Sequence, residues 1–366
     1  MDHLHHFERF TQWTSPETKY YVTIGEMMSV VRSHAKPSQI LVMVGGNSVL
    51  RGVGQPADKV WTKALQEKLG PDYSVINMAF NGSLVTDGAA VVAEALRNEY
   101  PRQIYIANAA PTQAPEPDGS AVYRFMFWDA YAKGLLMDDP ARAAAIEKSH
   151  QAPSYGAGMQ ELRATSWLDG LFYFRDFWNS ITYTKVNTVW GFYMPGPTQF
   201  LRPRKRYPDP EPDASKFPMS IRYIPANLEI EMLNVRGCSM YAYTKDADGK
   251  WQLYAPVWDQ FVAGIKDAMP TPLKKRTLIL MSQSSPFYYR QLPPDEQERN
   301  DLAYAHAVEL WKAGGYEALE YGKTLLANEY ADRTHLTFEG GAKLADVVSE
   351  KVREMSVQLG YLPAKP

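Results

Sequence analysis

The feature that most restricts this chain is an alternation of short apolar runs and amphipathic stretches, broken in the middle and resumed near the end. Ile40–Val44 is a run of five apolar residues, Tyr73–Phe80 a second strand signal, and Gln103–Ala110 a third. Helical patterns separate them. Pro56–Leu69 places Val60, Trp61, Leu65 and Leu69 on one face, and Leu84–Asn98 reads as a second helix. The last quarter repeats the scheme: strand Thr277–Ser285, helix Pro294–Ala313, weaker strand Tyr316–Gly322, then a closing amphipathic helix Glu339–Leu359. Leu344, Val347, Val348 and Val352 form the apolar side of that last helix. Strands that alternate with helices build a parallel sheet with right-handed crossovers. The fold class expected is therefore α/β, three layers α/β/α around a short, mostly parallel sheet.

Between the two halves the pattern lapses. Residues 112–271 are rich in aromatics and proline and show no clear β-α repeat, so they read as an inserted lid or subdomain over the carboxyl edge of the sheet. Within them Trp167, Leu171, Phe174, Trp178 and Ile181 recur at helical spacing as one stripe. Such a stripe reads first as core, with a sugar- or acyl-binding cleft or a membrane-facing patch as the sharper alternative. The segment 202–218 is a breaker-rich loop with a basic half and an acidic half. Arg202, Arg204, Lys205 and Arg206 read as solvated rather than as a contact for anionic lipid. The domain organisation expected is an N-terminal segment, 1–35, an α/β core from 36–111 and 272–366, and the insertion.

Composition narrows the function classes. A net charge of −2 among 366 residues lacks the basic excess of a general nucleic-acid binder. One cysteine, Cys238, permits no internal disulfide and no cysteine-based zinc site. His3, His5 and His6 are too few and scattered for a purification tag and read as ordinary surface histidines rather than a metal site, so neither metal nor cofactor is expected. His306 falls inside a helix and reads as structural. The polar start, with no apolar run behind basic residues, is not a secretory signal, and no stretch approaches the length of a membrane span. The compartment is left open: cell envelope if an anchor precedes this sequence, cytoplasm otherwise. Peripheral membrane contact through the insertion stays open, as does the oligomeric state.

Chemistry concentrates at two places. The first strand runs directly into "GGNSVLRGVG", a glycine-rich turn around Ser48. Glycine-rich turns after strands often cradle phosphates, but the spacing Gly45, Gly46, Gly52, Gly54 is not a dinucleotide fingerprint, no lysine follows, and the second strand carries Asn77 rather than an acid. The other place is "ADRTHLTFEGG", with Asp332 three residues before His335 and just ahead of the last helix, where Thr337 can cap and Glu339 suits the positive end. A serine hydroxyl becomes a nucleophile when a base lies within hydrogen-bond reach and an acid orients the base. One tight loop offers both, and Ser48 at the carboxyl end of the first strand can meet them, since sites in open parallel sheets gather at that edge.

The order Ser, Asp, His, with the last two three residues apart, resembles the SGNH (GDSL-type) hydrolase superfamily. "GGNSVLRGVG" resembles its first block, "NMAFNGSLVTDG" its second, "YIANAAP" its third and "DRTHLTFEGG" its fifth, together covering residues 36–112 and 275–357. The resemblance implies a flavodoxin-like core, Ser48 as nucleophile, His335 as base and Asp332 as its orienting acid. It also implies an oxyanion hole from the N–H groups of Ser48 and Gly82 and the side-chain amide of Asn108. Two positions depart from the pattern: Asn47 stands where an aspartate usually precedes the nucleophile, and the third block reads Ala107-Asn108-Ala109 without its usual glycine and aspartate. The function expected is a serine esterase or O-acyltransferase acting on an O-acyl group, such as acetyl, of a small ester, a polysaccharide or a cell-envelope polymer. The alternative is a binding or assembly protein that keeps the fold without the activity.

Overall fold

The structure is a computed structural model and describes residues 24–120, 123–149, 228–237 and 239–363. Five strands form one sheet: β1 (Ile40–Val44), β2 (Tyr73–Asn77), β3 (Gln103–Ala109), β6 (Thr277–Ser282) and β7 (Glu317–Tyr321). Their order is β2-β1-β3-β6-β7, and every neighbouring pair is parallel. A separate antiparallel pair, β4 (Tyr243–Lys245) and β5 (Trp251–Leu253), stands apart from this sheet. The helices are α1 (Ile24–His34), α2 (Ser48–Arg51), α3 (Trp61–Leu69), α4 (Gly88–Ala95), α5 (Arg124–Ala132), α6 (Pro140–Ser149), α7 (Leu228–Gly237), α8 (Ala255–Asp267), α9 (Thr271–Lys274), α10 (Pro286–Tyr289), α11 (Pro294–Ala313) and α12 (Phe338–Gln358). The protein is thus α/β, and its sheet is wholly rather than mostly parallel.

The sheet is apolar on both faces because side chains alternate across each strand. Ile40, Val42 and Val44 join Val75, Ile104, Ile106, Leu278 and Leu280 beneath Trp61, Leu65 and Leu69 of α3 and Leu344, Val348 and Val352 of α12. Leu41, Met43, Ile76, Tyr105, Ala107, Ile279 and Met281 face the opposite cluster with α1, α4 and α11. Met126, Phe127 and Ala130 of α5, and Trp258, Phe261 and Ile265 of α8, belong to that second cluster. Both described ends of the segment 112–271 therefore pack into the core beside the sheet. A large apolar side chain buried to this degree contributes about 1.5–3 kcal/mol, so these helices are as much part of the fold as the strands.

Several element ends differ from the sequence reading, each for a local reason. The helix expected from Pro56 begins at Trp61, because Val60 is extended (ψ 144°) and closes a separate 3-10 turn over Ala57–Lys59. β2 stops at Asn77, whose Oδ1 accepts from the Ala79 N–H and turns the chain. The second helix starts at Gly88 rather than Leu84, since the Leu84 N–H is taken by the Asp87 carboxylate at 2.6 Å. β6 ends at Ser282, ahead of Ser285, which caps α10 with Pro286 at its first position. On α12 Val347 points outward at 40% exposure, and the buried stripe is Leu344, Ala345, Val348, Val352 and Met355.

Cys238, the stripe from Trp167 to Ile181, the segment 202–218 and the three early histidines lie outside the described residues. His306, on α11, makes an edge contact with Trp258 at 4.6 Å between ring centres. Among the described residues no helix is long and apolar enough to cross a membrane.

Candidate active site

The sheet order reverses between β1 and β3: the chain leaves β1 for β2 on one side and later crosses to β3 on the other. In open parallel sheets the crevice at the carboxyl ends of such a pair is where ligands bind. Ser48 follows β1 by four residues, and Asn108 is the penultimate residue of β3. The sequence feature and the topological one coincide.

Ser48 opens α2, a single helical turn with Asn47 as its N-cap. Asn47 Oδ1 accepts from the Val49 N–H at 3.0 Å. The same oxygen accepts from Asn108 Nδ2 at 2.8 Å, while Asn108 Oδ1 accepts from the Asn47 N–H at 2.9 Å. The two backbone donors fix which end of each amide faces where. Asn47 thus ties the Ser48 turn to β3 with no carboxylate involved. Asn108 keeps its second Nδ2 proton outside this pairing.

The glycines of the turn serve close approach rather than phosphate. Gly46 has φ +82°, and a Cβ there would fall on the Asn108 side chain and within 2.9 Å of its backbone N. Gly54 has φ +100°, and a Cβ there would sit 2.8 Å from the Leu336 carbonyl and 2.9 Å from Ala331 Cβ. One glycine lets the turn meet β3 and the other lets it meet the loop bearing His335.

At the far end of α2, the Leu50 carbonyl accepts from Trp61 Nε1 at 2.7 Å and from Asn77 Nδ2 at 3.0 Å. Asn77, buried at the position where a nucleotide site would want an acid, instead satisfies the last turn of α2. The sequence reading missed Asn77 and Trp61 as supports. The recoverable signal was a single asparagine inside the otherwise apolar run Val75–Phe80.

The second half of the site is the loop from Tyr330 to Leu336, two residues that bridge antiparallel. The Ala331 N–H donates to the His335 carbonyl at 2.7 Å, and the Ser285 N–H donates to the Arg333 carbonyl at 2.8 Å. Buried Leu336 anchors the loop in the core between the sheet and helices α3 and α12, and Thr337 caps α12 by accepting from the Gly340 N–H. Inside the loop, Asp332 Oδ1 accepts from the N–H groups of Thr334 and His335 at 2.9 and 2.8 Å. Asp332 Oδ2 lies 2.6 Å from His335 Nδ1. His335 Nε2 lies 2.7 Å from Ser48 Oγ.

Electrostatics follow from these contacts. Burial works to raise the Asp332 carboxyl, but the His335 side chain and the two backbone donors outweigh it and hold it below the ordinary aspartate value. An ionised Asp332 accepts only, so Nδ1 carries the proton and Nε2 is left to accept from the Ser48 hydroxyl. The structure brings Ser48, His335 and Asp332 into one chain of hydrogen bonds and joins Asn108 to it through Asn47. Gly82 lies on an exposed turn after β2, at φ +72° with open space where a Cβ would stand. Two residues earlier the Phe80 N–H donates to the Gly46 carbonyl at 3.1 Å, so the Gly82 turn hangs from the Ser48 turn.

The sequence matches no protein-family model and no curated protein. The functional reading therefore rests on the residues themselves.

Proposed function

We propose that this protein is a serine esterase or O-acyltransferase of the SGNH (GDSL-type) kind, acting on ester-linked acyl groups of a carbohydrate or cell-envelope polymer. The observation that carries the reading is the pair of short contacts, 2.7 Å from Ser48 Oγ to His335 Nε2 and 2.6 Å from His335 Nδ1 to Asp332. The flavodoxin-like strand order and the place of Ser48 at the sheet's reversal support the same assignment. The carbohydrate acceptor rests on the aromatic-rich insertion and on the family resemblance, with acetyl as one acyl group that fits.

In this reading His335 Nε2 takes the hydroxyl proton as Ser48 Oγ attacks the acyl carbon. The tetrahedral oxyanion receives hydrogen bonds from the N–H groups of Ser48 and Gly82 and from the second Nδ2 proton of Asn108. Ser48 begins a helical turn, so its N–H has no intrahelical partner and is available. Collapse expels the alcohol, which leaves with the proton from His335, and an acyl-Ser48 remains. Water or a sugar hydroxyl then attacks the acyl carbon, gives its proton to His335 Nε2, and Ser48 departs with that proton. Each oxyanion donor contributes about 3–4 kcal/mol to lowering the barrier.

The test is a serine-reactive fluorophosphonate probe beside a panel of p-nitrophenyl esters of different chain length. Wild type should label and Ser48→Ala should not. Absent labelling of wild type, or equal labelling of Ser48→Ala, overturns the enzyme reading in favour of a binding or assembly protein.

A further inference from the structure

The Gly82 turn is held by Gly119, Ser120 and Tyr123. Gly82 is exposed, has φ +72°, and packs against nothing where a side chain would be. A peptide unit ahead of such a glycine is free to rotate, because no Cβ resists the flipped orientation. If Gly82 N–H is to meet an oxyanion, something must hold the peptide that carries it. That peptide is the Asn81–Gly82 unit, and its carbonyl is the Asn81 oxygen. The Tyr123 hydroxyl donates to this oxygen at 2.7 Å.

In a planar trans peptide the C=O and the N–H point in opposite directions. Fixing the Asn81 carbonyl on Tyr123 therefore fixes the direction of the Gly82 N–H, on the side away from Tyr123. Accepting a hydrogen bond at the oxygen also polarises the peptide and strengthens its N–H as a donor.

Tyr123 is itself held. Its ring stacks on Phe80 at 5.3 Å and 27° between planes. Three residues before it, the Ser120 N–H and Oγ donate to the Asp87 carboxylate at 2.7 and 2.8 Å, and Asp87 is buried. Gly119 makes this approach feasible, since a Cβ there would fall 2.5 Å from Asp87 Oδ1. Burial raises the Tyr123 phenol above its ordinary value, so the group remains a protonated donor across the working range.

We propose that Tyr123, at the entry to the insertion, is a positioning residue that aims the Gly82 N–H into the oxyanion hole. This rests on the hydrolase reading of Ser48, His335 and Asp332. It makes the insertion a contributor to the chemistry through one hydroxyl.

Tyr123→Phe removes that hydroxyl and keeps the ring on Phe80. In an active enzyme it should lower kcat and the rate of fluorophosphonate labelling by about tenfold, the effect of one hydrogen bond. KM should be unchanged, and the melting temperature should fall by no more than about 1–4 °C, the loss of one hydrogen bond. The backbone amide resonance of Gly82, followed by proton–nitrogen NMR in wild type and variant, should move upfield as the polarisation is lost. Wild-type kcat together with an unmoved Gly82 resonance in Tyr123→Phe overturns the proposal and leaves the hydrolase reading intact. If wild type neither labels nor turns over any ester, the hydrolase reading fails and the role in catalysis goes with it. A moved Gly82 resonance would then still report that Tyr123 sets this peptide's orientation.

Discussion

Ser48 Oγ and His335 Nε2 stand 2.7 Å apart although 287 residues separate them. No local propensity produces that distance. It follows from a parallel sheet that puts the end of β1 beside the loop before α12, and from two glycines that let the loops touch. Asp332 completes the geometry from within the loop of the histidine it orients.

Asp332→Asn tests the orienting role. An amide at 332 can offer Nδ2 to His335 Nδ1, which favours the tautomer that has its proton on Nε2 and cannot accept from Ser48. Turnover of the best ester in the panel should fall by about 10⁴, with the fold kept. Retained turnover within a factor of ten would remove Asp332 from the mechanism.

The two strongest elements of this arrangement were legible because each is a short local pattern. Ile40–Val44 followed by Gly45-Gly46-Asn47-Ser48 announces a strand ending in a tight turn, and Asp332 with His335 announces an acid and a base on one loop. The parallel pairing of the strands followed from the β-α alternation. The tertiary partnerships were not legible. Asn47 with Asn108, Asn77 with the end of α2, and Tyr123 with the Asn81 carbonyl each join distant segments through one polar contact. A single sequence carries no periodic trace of such contacts. The inward placement of α5 and α8 was missed for a related reason: their apolar residues lie among many other aromatics, so composition pointed to an insertion and not to core.

The Asn47 side chain is expected to stabilise the Ser48 turn through acceptance alone. In Asn47→Ala the Val49 N–H loses its cap and the Asn108 amide loses its partner, a destabilisation of about 1–2 kcal/mol in urea unfolding. A carboxylate can accept both bonds, so Asn47→Asp should keep most of that stability. Equal losses in the two variants would contradict the assignment of Asn47 Oδ1 as the acceptor.

Gly54→Ala separates close approach from backbone strain. The new Cβ meets the Leu336 carbonyl and Ala331, so the His335 loop must withdraw. A misplacement of about 1 Å costs roughly a hundredfold in rate. Gly70→Ala is the control: its φ is +85° but nothing lies within 4 Å of a Cβ. Both variants should lose about 1–3 kcal/mol to positive-φ strain, Gly54→Ala losing more through its new contacts, and only Gly54→Ala should lose activity. Melting curves read beside ester turnover decide the matter.

Glu94 and Arg142 form a buried bidentate pair, with Arg142 Nη1 and Nη2 at 2.7 and 2.8 Å from the two carboxylate oxygens and both side chains nearly inaccessible. Glu94 Oε1 also accepts from the Met137 N–H at 2.6 Å, so the pair binds α6 and the turn before it to α4. Removing one partner of such a pair leaves a buried charge and costs about 3–5 kcal/mol. Arg142→Met and Glu94→Gln should each show that loss in chemical denaturation. A loss below about 1 kcal/mol would mean the charges are solvated.

Asp332 and Asp87 should shape the acid limb of stability in opposite senses. The native carboxyl of Asp332 sits below its unfolded value, near 3.8, so its contribution is present above that pH and is lost as pH falls through the lower native value. Asp87 behaves in reverse. Burial raises its carboxyl, more than the donors from Leu84 and Ser120 lower it. Its contribution is therefore full below pH 3.8 and declines as pH rises through the higher native value. Urea midpoints across the acid range, for wild type, Asp332→Asn and Asp87→Asn, should show this. The gap between wild type and Asp332→Asn should narrow on acidification, and the gap to Asp87→Asn should widen. Parallel curves for both variants would contradict the opposite shifts that the two environments impose.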